Sequence, residues 1–120
     1  MRPGRVAIVD YGAGNLRSVQ NALARLAVPH EVTRDPDRVR RADTVVFPGV
    51  GEASSAMAVL DRTGLGEAIR ETWLAGRRLI GICLGCQVIL DRSEEGGTAC
   101  LGLVPGVVRR FSPAPGLKVP

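Results

Sequence analysis

The feature that most limits how this chain can fold is an alternation of short apolar runs with segments of helical periodicity. Strand-like runs occupy residues 6–9, 30–33, 44–47 and 78–82. Helical patterns cover residues 15–26, 53–60 and 66–75, and the stretch from the last run to about residue 90. Parallel strands need a crossover connection, which is usually a helix. The order therefore predicts an α/β fold with an open, mostly parallel sheet and helices on both faces.

The remaining segments are predicted to connect these elements. Segment 34–42 is polar and is expected to be a plain connection, and Pro29 is expected to end the first helix. Segment 93–97 is predicted to be a polar loop, 107–111 has strand character, and 112–120 is rich in proline and loop-like. A chain of 120 residues without a repeat or an internal linker fits one domain or part of one.

Composition excludes several classes of protein. No apolar run approaches the ~20 residues of a membrane-spanning helix, and the N-terminus does not have the pattern of a signal peptide. Three cysteines, an odd number, argue against a disulfide framework. The net charge of +4 comes without stacking aromatics or a groove-reading motif beside it. We therefore expect a cytoplasmic protein that binds neither nucleic acid nor a membrane.

Three segments that contain glycine leave the predicted strands at one edge of the sheet. They are residues 10–15, 48–52 and 83–87. Ligands of open parallel sheets bind at the carboxyl ends of the strands, and glycine lets backbone N–H groups come close to them. The alternation of elements therefore locates a candidate site at this edge, whatever the strand order.

The most specific local pattern is Gly81-Ile82-Cys83-Leu84-Gly85. A nucleophile on a tight strand-to-helix turn between glycines is the sulfur counterpart of the serine nucleophile elbow. The N-terminus of the following helix favours the thiolate, and the amide of Leu84 is expected to face a developing oxyanion. A second amide donor is expected from residues 49–51, which leave a neighbouring buried strand.

Other interpretations of the cysteines remain open at this point. Cys83 could be an inert core residue, or Cys83 and Cys86 could form a C-x-x-C redox pair. A zinc site would need Cys83, Cys86, Cys100 and His30, without a second paired ligand motif. The chain has one histidine, His30, at the start of its strand, so it is expected near the opposite edge of the sheet, about 15 Å from Cys83. It cannot serve as the base for that cysteine.

These motifs together resemble the class I, or triad, glutamine amidotransferases. The stretch from Gly81 through Cys86 to Gln87 resembles their nucleophile motif. Segments 10–16 and 47–51, with Ser18, Val19, Ala56 and Met57, resemble one branch, the glutaminase subunits of imidazole glycerol phosphate synthases. Further similar stretches are 93–97, 101–103, 105–111 and 118–120. The resemblance covers essentially the whole chain.

The resemblance implies a flavodoxin-like class I glutamine amidotransferase fold with its C-terminal part missing, so that residues 1–120 are an incomplete amidotransferase domain. It implies hydrolysis of glutamine to glutamate and ammonia without a cofactor or metal, and a heterodimer with the (β/α)₈-barrel cyclase subunit in histidine biosynthesis. The implied catalytic residues are the nucleophile Cys83, with Leu84, Val50 and Gly51 as oxyanion hole. The implied substrate-binding residues are Gly49, Gln87 and Glu95, and the implied partner-facing residues are Tyr11 and Asn15.

The chain departs from the family pattern in two places. Cys86 stands where the family usually has methionine, which is also soft and apolar. The His-x-Glu element that completes the triad is absent, so we expect a fragment that is inactive alone. Alternatives are another class I subunit, of the anthranilate synthase type, or a non-catalytic binding module with the same fold.

Overall fold

A computed structural model describes residues 4–12, 15–112 and 114–118 of the chain. Its seven strands are β1 Val6–Val9, β2 Glu31–Thr33, β3 Thr44–Gly49, β4 Arg78–Cys83, β5 Arg92–Ser93, β6 Thr98–Ala99 and β7 Val107–Val108. Its five α-helices are α1 Leu16–Arg25, α2 Pro36–Arg41, α3 Ala53–Thr63, α4 Leu65–Leu74 and α5 Leu84–Val88. A 3₁₀ turn follows β5 at Glu95–Gly97.

The first four strands form the predicted parallel sheet, in the order β2-β1-β3-β4. The chain moves from β1 to β2 in one direction and from β3 to β4 in the other. Because crossovers are right-handed, α1 lies on the face opposite to α3 and α4. The fold class predicted from the alternation of elements is confirmed. The short strands β5, β6 and β7 form a separate sheet in the order β6-β5-β7.

The main core lies on the face of the sheet that α2 to α5 cover. It joins strand residues of alternate positions, such as Val9, Val45 and Phe47, to apolar helix residues, such as Leu60 and Ile69. Aliphatic side chains dominate it, as the scarcity of aromatics requires. Strand residues between these positions point to the other face. This packing fixes the carboxyl ends of β1, β3 and β4 side by side.

Helix α2 differs from the expectation for segment 34–42, which is polar. Asp35 caps it by accepting a hydrogen bond from the amide of Asp37 at 2.9 Å, and Pro36 occupies the first turn. Both are helix-start signals, and the buried Val39 anchors the turn to the core. The expectation of a plain connection between β2 and β3 is therefore wrong.

Several other boundaries differ from the expectations. Helix α1 ends before Pro29, because Ala27 adopts a positive φ of 56°. The predicted polar loop 93–97 contains the end of β5 and the 3₁₀ turn, and the predicted strand at 107–111 is reduced to β7. The turn predicted through residues 13–14, and residues 119–120 of the last similar stretch, lie outside the described residues.

Strand β4 is paired on one side only within the part of the chain that the structure describes. Ile80 and Ile82, which share one face of it, are 49% and 40% exposed. Among the described helices, none combines the length and apolar character that crossing a membrane requires.

Candidate functional site

Cys83 lies at the junction of β4 and α5, as the elbow prediction requires. It is the last residue of the strand and the N-cap of the helix, with φ 56° and ψ −118°. A positive φ in a residue other than glycine costs about 1–3 kcal/mol, and such strain is common at catalytic residues. The side chain is exposed, so Cys83 is not an inert core cysteine.

Glycines on both sides of Cys83 are required by backbone packing. A Cβ on Gly81 would lie 2.9 Å from the Cα and N atoms of Cys86, and one on Gly85 would overlap the carbonyl oxygen of Phe47. Helix α5 therefore packs directly on the backbone of β3 and β4. The elbow is held by main-chain contacts that no larger residue could preserve.

Residues 49–51, which we call the glycine loop, lie beside the elbow. Gly49 is the partner of Cys83 in the register between β3 and β4. Val50 is 59% exposed, and Gly51 has a φ of 106°, which favours glycine. The side chain of Leu84 is buried, while its backbone follows Cys83 directly. The structure thus brings together the nucleophile and the two segments that were expected to donate amides.

The side chain of Tyr11 packs against Gly49 of the glycine loop. Its side chain is only 4% exposed, and its ring lies 5.2 Å from that of Phe47, centroid to centroid. A Cβ on Gly49 would overlap the hydroxyl oxygen of Tyr11. Burial raises the pKa of Tyr11 to about 12, so the hydroxyl is protonated at neutral pH. The ring is packed inside the chain, and the expected role of Tyr11 toward a partner subunit stays a prediction.

Glu95 connects the polar segment after α5 to the start of α3, which follows the glycine loop. Its Oε1 accepts a hydrogen bond of 3.2 Å from the amide of Ala53, the first residue of α3. The N-cap residue of that helix, Glu52, makes no capping bond of its own. Glu95 therefore caps α3 from a distance of 42 residues along the chain. No pattern in the sequence indicates this contact.

The other two expected site residues are on the surface. Gln87 is exposed on α5, one helical turn after Cys83. Asn15 is exposed and caps α1, since its side chain accepts a hydrogen bond of 3.3 Å from the amide of Ser18. The capping role predicted for Asn15 is confirmed.

The structure also bears on the open alternatives. His30 directly precedes β2 at the amino-terminal edge of the sheet, and its Nδ1 lies 2.9 Å from the carbonyl oxygen of Val28. Within the described ranges, no three His, Cys, Asp or Glu side chains are grouped closely enough to hold a metal ion. Cys83 and Cys86 are both exposed and three residues apart, so the redox pair is the alternative that geometry leaves open.

Sequence comparison finds relatives that match almost the whole chain. It is 50% identical over 109 residues, 91% of its length, to "Imidazole glycerol phosphate synthase subunit HisH" of Nitratidesulfovibrio vulgaris strain DP4. It is 54% identical to the protein of the same name from Moorella thermoacetica, over 100% of its length. The chain spans 51% and 56% of these two relatives, about half of their length. No family model matches the chain.

Comparison with solved structures gives the same fold. A crystal structure of a glutamine amidotransferase superimposes with a TM-score of 0.73 at 20% identity, over 85% of this chain and 54% of that one. A putative peptidase E protein from Listeria monocytogenes gives 0.68 at 19% identity, over 86% of this chain and 64% of that one. At such identities the similarity concerns the fold alone.

Proposed function

Because the chain is homologous to HisH subunits of imidazole glycerol phosphate synthase over about half of their length, we propose that it carries the nucleophile of a glutaminase. The reaction is the hydrolysis of glutamine to glutamate and ammonia. The observation that carries the proposal is the strained backbone of an exposed Cys83, next to Gly49 in the sheet register. That arrangement suits covalent catalysis at an amide carbon.

The proposed mechanism has two acyl-transfer steps. The Cys83 thiolate adds to the side-chain amide carbon of glutamine, and the carbonyl oxygen becomes an oxyanion. The C–N bond then breaks, the nitrogen takes up a proton, and ammonia leaves a thioester on the sulfur. Water attacks the thioester through a second oxyanion, and breakage of the C–S bond yields glutamate and returns the thiolate.

The oxyanions are assigned to backbone amides of Leu84, Val50 and Gly51. Amides of this kind stabilise the charge that develops in the transition state, and losing one typically costs ~10²–10³ in rate. Gly49 and Gln87 are proposed to line the glutamine site. Glu95 is proposed to meet the substrate's amino group with its second carboxylate oxygen, since Oε1 is occupied in capping α3.

Proton transfer requires a base that this chain does not supply at the elbow. Its single histidine, His30, lies at the other edge of the sheet. We assign the base to a His-x-Glu element in the part of the full-length relatives that this chain does not span. Residues 1–120 would then be an incomplete amidotransferase domain, without a cofactor, in the cytoplasm.

The names of the relatives, which are subunits of a synthase, support the proposal of a partner subunit. We propose that the complete subunit passes ammonia to a (β/α)₈-barrel cyclase subunit, and that the exposed Asn15 faces it.

Affinity labelling tests the proposed nucleophile. The chloroketone analogue of glutamine should alkylate Cys83 selectively, as read by peptide mass spectrometry, with Cys83→Ala as the control. Equal labelling of Cys86 and Cys100 would contradict an activated nucleophile. The isolated chain should not release ammonia from glutamine above the Cys83→Ala background, and steady turnover would contradict the assignment of the base.

A further inference from the structure

Tyr11 carries the one buried side-chain polar atom that has no hydrogen-bond partner within residues 4–12, 15–112 and 114–118, its hydroxyl oxygen. Burying a hydroxyl without a partner costs stability, whereas a phenylalanine ring would fill the same space without that cost. The oxygen therefore brings this region no stabilising hydrogen bond. Any effect of this oxygen must come from the atoms that it contacts.

The candidate site has two halves, the elbow at residues 81–85 and the glycine loop. The hydroxyl lies beside Gly49, where these two halves meet. A Cβ placed on Gly49 would overlap this oxygen and lie 3.2 Å from the Tyr11 Cζ and from the Cβ of Leu84. Gly49 is also paired with Cys83 in the sheet register. The ring itself packs against that of Phe47, and its hydroxyl oxygen occupies the place that a side chain on Gly49 would need.

We propose that Tyr11 is a positioning residue whose hydroxyl oxygen sets the position of the Gly49 backbone. Through Gly49 it sets the distance from the amides of Val50 and Gly51 to the sulfur of Cys83. The part of this inference that concerns catalysis rests on the proposed function. The contact itself does not depend on that function. The oxygen acts as a spacer, and a methyl group on residue 49 would occupy nearly the same volume.

Two electrophiles distinguish a change in the position of the amide donors from a change in the general reactivity of the Cys83 thiol. The sulfur adds to the ketone carbon of the chloroketone analogue of glutamine and creates an oxyanion. It then displaces chloride from the adjacent carbon, and the oxyanion returns to the ketone as the first carbon–sulfur bond breaks. Iodoacetamide reacts by direct displacement of iodide and needs no oxyanion. The ratio of the two labelling rates at Cys83 therefore measures how well the backbone amides stabilise the oxyanion.

In the full 120-residue chain, Tyr11→Phe should lower the chloroketone rate about 3- to 10-fold, a fraction of the loss of one donor. The iodoacetamide rate should stay unchanged, and the melting temperature should be unchanged or higher. A change in both rates alike, or in neither, would overturn the proposal.

A double variant, Gly49→Ala with Tyr11→Phe, supplies a second test. It measures thermal stability and does not depend on a reaction at Cys83. Gly49→Ala should lower the melting temperature by at least about 5 °C, and adding Tyr11→Phe should restore most of it, because the new methyl replaces the lost oxygen. Gly85→Ala is the matched control, since its overlap is with the backbone oxygen of Phe47, and Tyr11→Phe should not rescue it.

The outcomes distinguish the inference from the proposed function. If Gly49→Ala is rescued as little as Gly85→Ala, the spacer role is wrong, whatever the labelling shows. If the rescue occurs but the chloroketone does not prefer Cys83 in the unaltered chain, the contact is real and the catalytic role of Tyr11 is wrong, together with the proposed function.

Discussion

The two halves of the candidate site are held in different ways. The elbow at 81–85 is fixed by its own backbone, because Gly81 and Gly85 have main-chain atoms of Cys86 and Phe47 where a side chain would be. In the glycine loop, a Cβ on Gly51 would meet nothing within 4 Å, and Val50 is mostly exposed. The nucleophile and the amide of Leu84 are thus held by backbone packing. The glycine loop instead lies against the side chain of Tyr11 and is followed by the start of α3, which Glu95 caps.

This difference suggests that the two segments at this edge of the sheet have different structural roles. Backbone packing at the elbow can store the strain of Cys83, because the contacts around it over-determine its conformation. A loop held by a few side chains can adjust when a substrate or a partner arrives, since low local packing allows local opening. Substitutions in the elbow and in the glycine loop should therefore differ in their effects.

The largest effect is expected from Gly85→Ala, which should lower the free energy of unfolding by at least about 3 kcal/mol, because the overlap with Phe47 involves backbone on both sides. Urea denaturation followed by circular dichroism measures it. Gly66→Ala in α4 is the control, because its Cβ would come no nearer than 3.3 Å to any atom, and it should change stability by less than about 1 kcal/mol. Equal losses would argue against a rigid elbow.

A pH effect is expected from Tyr11, whose pKa is raised to about 12 by burial. Between pH 10 and 12 the unfolded chain releases the phenolic proton while the folded chain keeps it. This contribution to stability is therefore present below pH 10 and lost as the pH rises to 12, a fall of roughly 2–3 kcal/mol. Because the chain has a single tyrosine, phenolate absorbance gives the pKa directly.

Two observations serve as checks on the Tyr11 titration. Tyr11→Phe should remove this part of the pH dependence of unfolding. A phenolate midpoint near pH 10 in the folded chain would show that the ring is accessible to water.

An intermediate effect is expected at Cys83. Cys83→Gly removes the strain of the positive φ, while Cys83→Ala keeps it, so the glycine variant should be the more stable of the two by about 1 kcal/mol. Both variants lack the sulfur, so the comparison isolates the backbone. Thermal unfolding of the pair measures the difference. A less stable glycine variant would show that the strain at this residue is small.

An effect of similar size is expected at Glu95. Glu95→Ala should cost about 1 kcal/mol, because the amide of Ala53 loses its acceptor, and Glu95→Gln should cost less because it keeps a carbonyl oxygen. Glu52→Ala is the matched control, since Glu52 holds the N-cap position without a side-chain bond. If Glu52→Ala proves as costly as Glu95→Ala in urea denaturation, the remote cap is unimportant.

The smallest effect is expected at Val50. Val50→Ala should change the free energy of unfolding by less than about 0.5 kcal/mol, because the side chain is 59% exposed. Equilibrium urea denaturation is sufficient to measure it. A loss close to that of Gly85→Ala would remove the contrast between the loop and the elbow.

Much of the fold can be predicted from the sequence because the relevant signals are local. The β1 run at 6–9 and the cap at Asn15 lie at their predicted positions, and the elbow at Cys83 follows from a nucleophile between small residues. The resemblance to HisH-type subunits, including a match to only part of them, is confirmed by the relatives. The coverage of about half of their length is consistent with the expected N-terminal portion.

The rest depends on contacts between residues that are distant in sequence. Helix α2 could have been predicted from Asp35 and Pro36, but a polar segment of that length is equally typical of a loop. Nothing near Tyr11 in the sequence indicates that its ring is buried under Gly49, 38 positions later in the numbering. The bond from Ala53 to Glu95 is likewise visible only once the chain is folded. The catalytic roles of the site residues stay predictions.

The half-exposed isoleucines of β4 affect how the polypeptide should be handled in the laboratory. The strand 78–83 contains no proline and no acidic residue, and within the described part of the chain its outer edge offers free amide and carbonyl groups to any neighbouring molecule. Such a segment is prone to intermolecular cross-β stacking at high concentration. Dilute stocks, light-scattering checks before each measurement, and the substitution Ile80→Lys are therefore sensible precautions for anyone who purifies it.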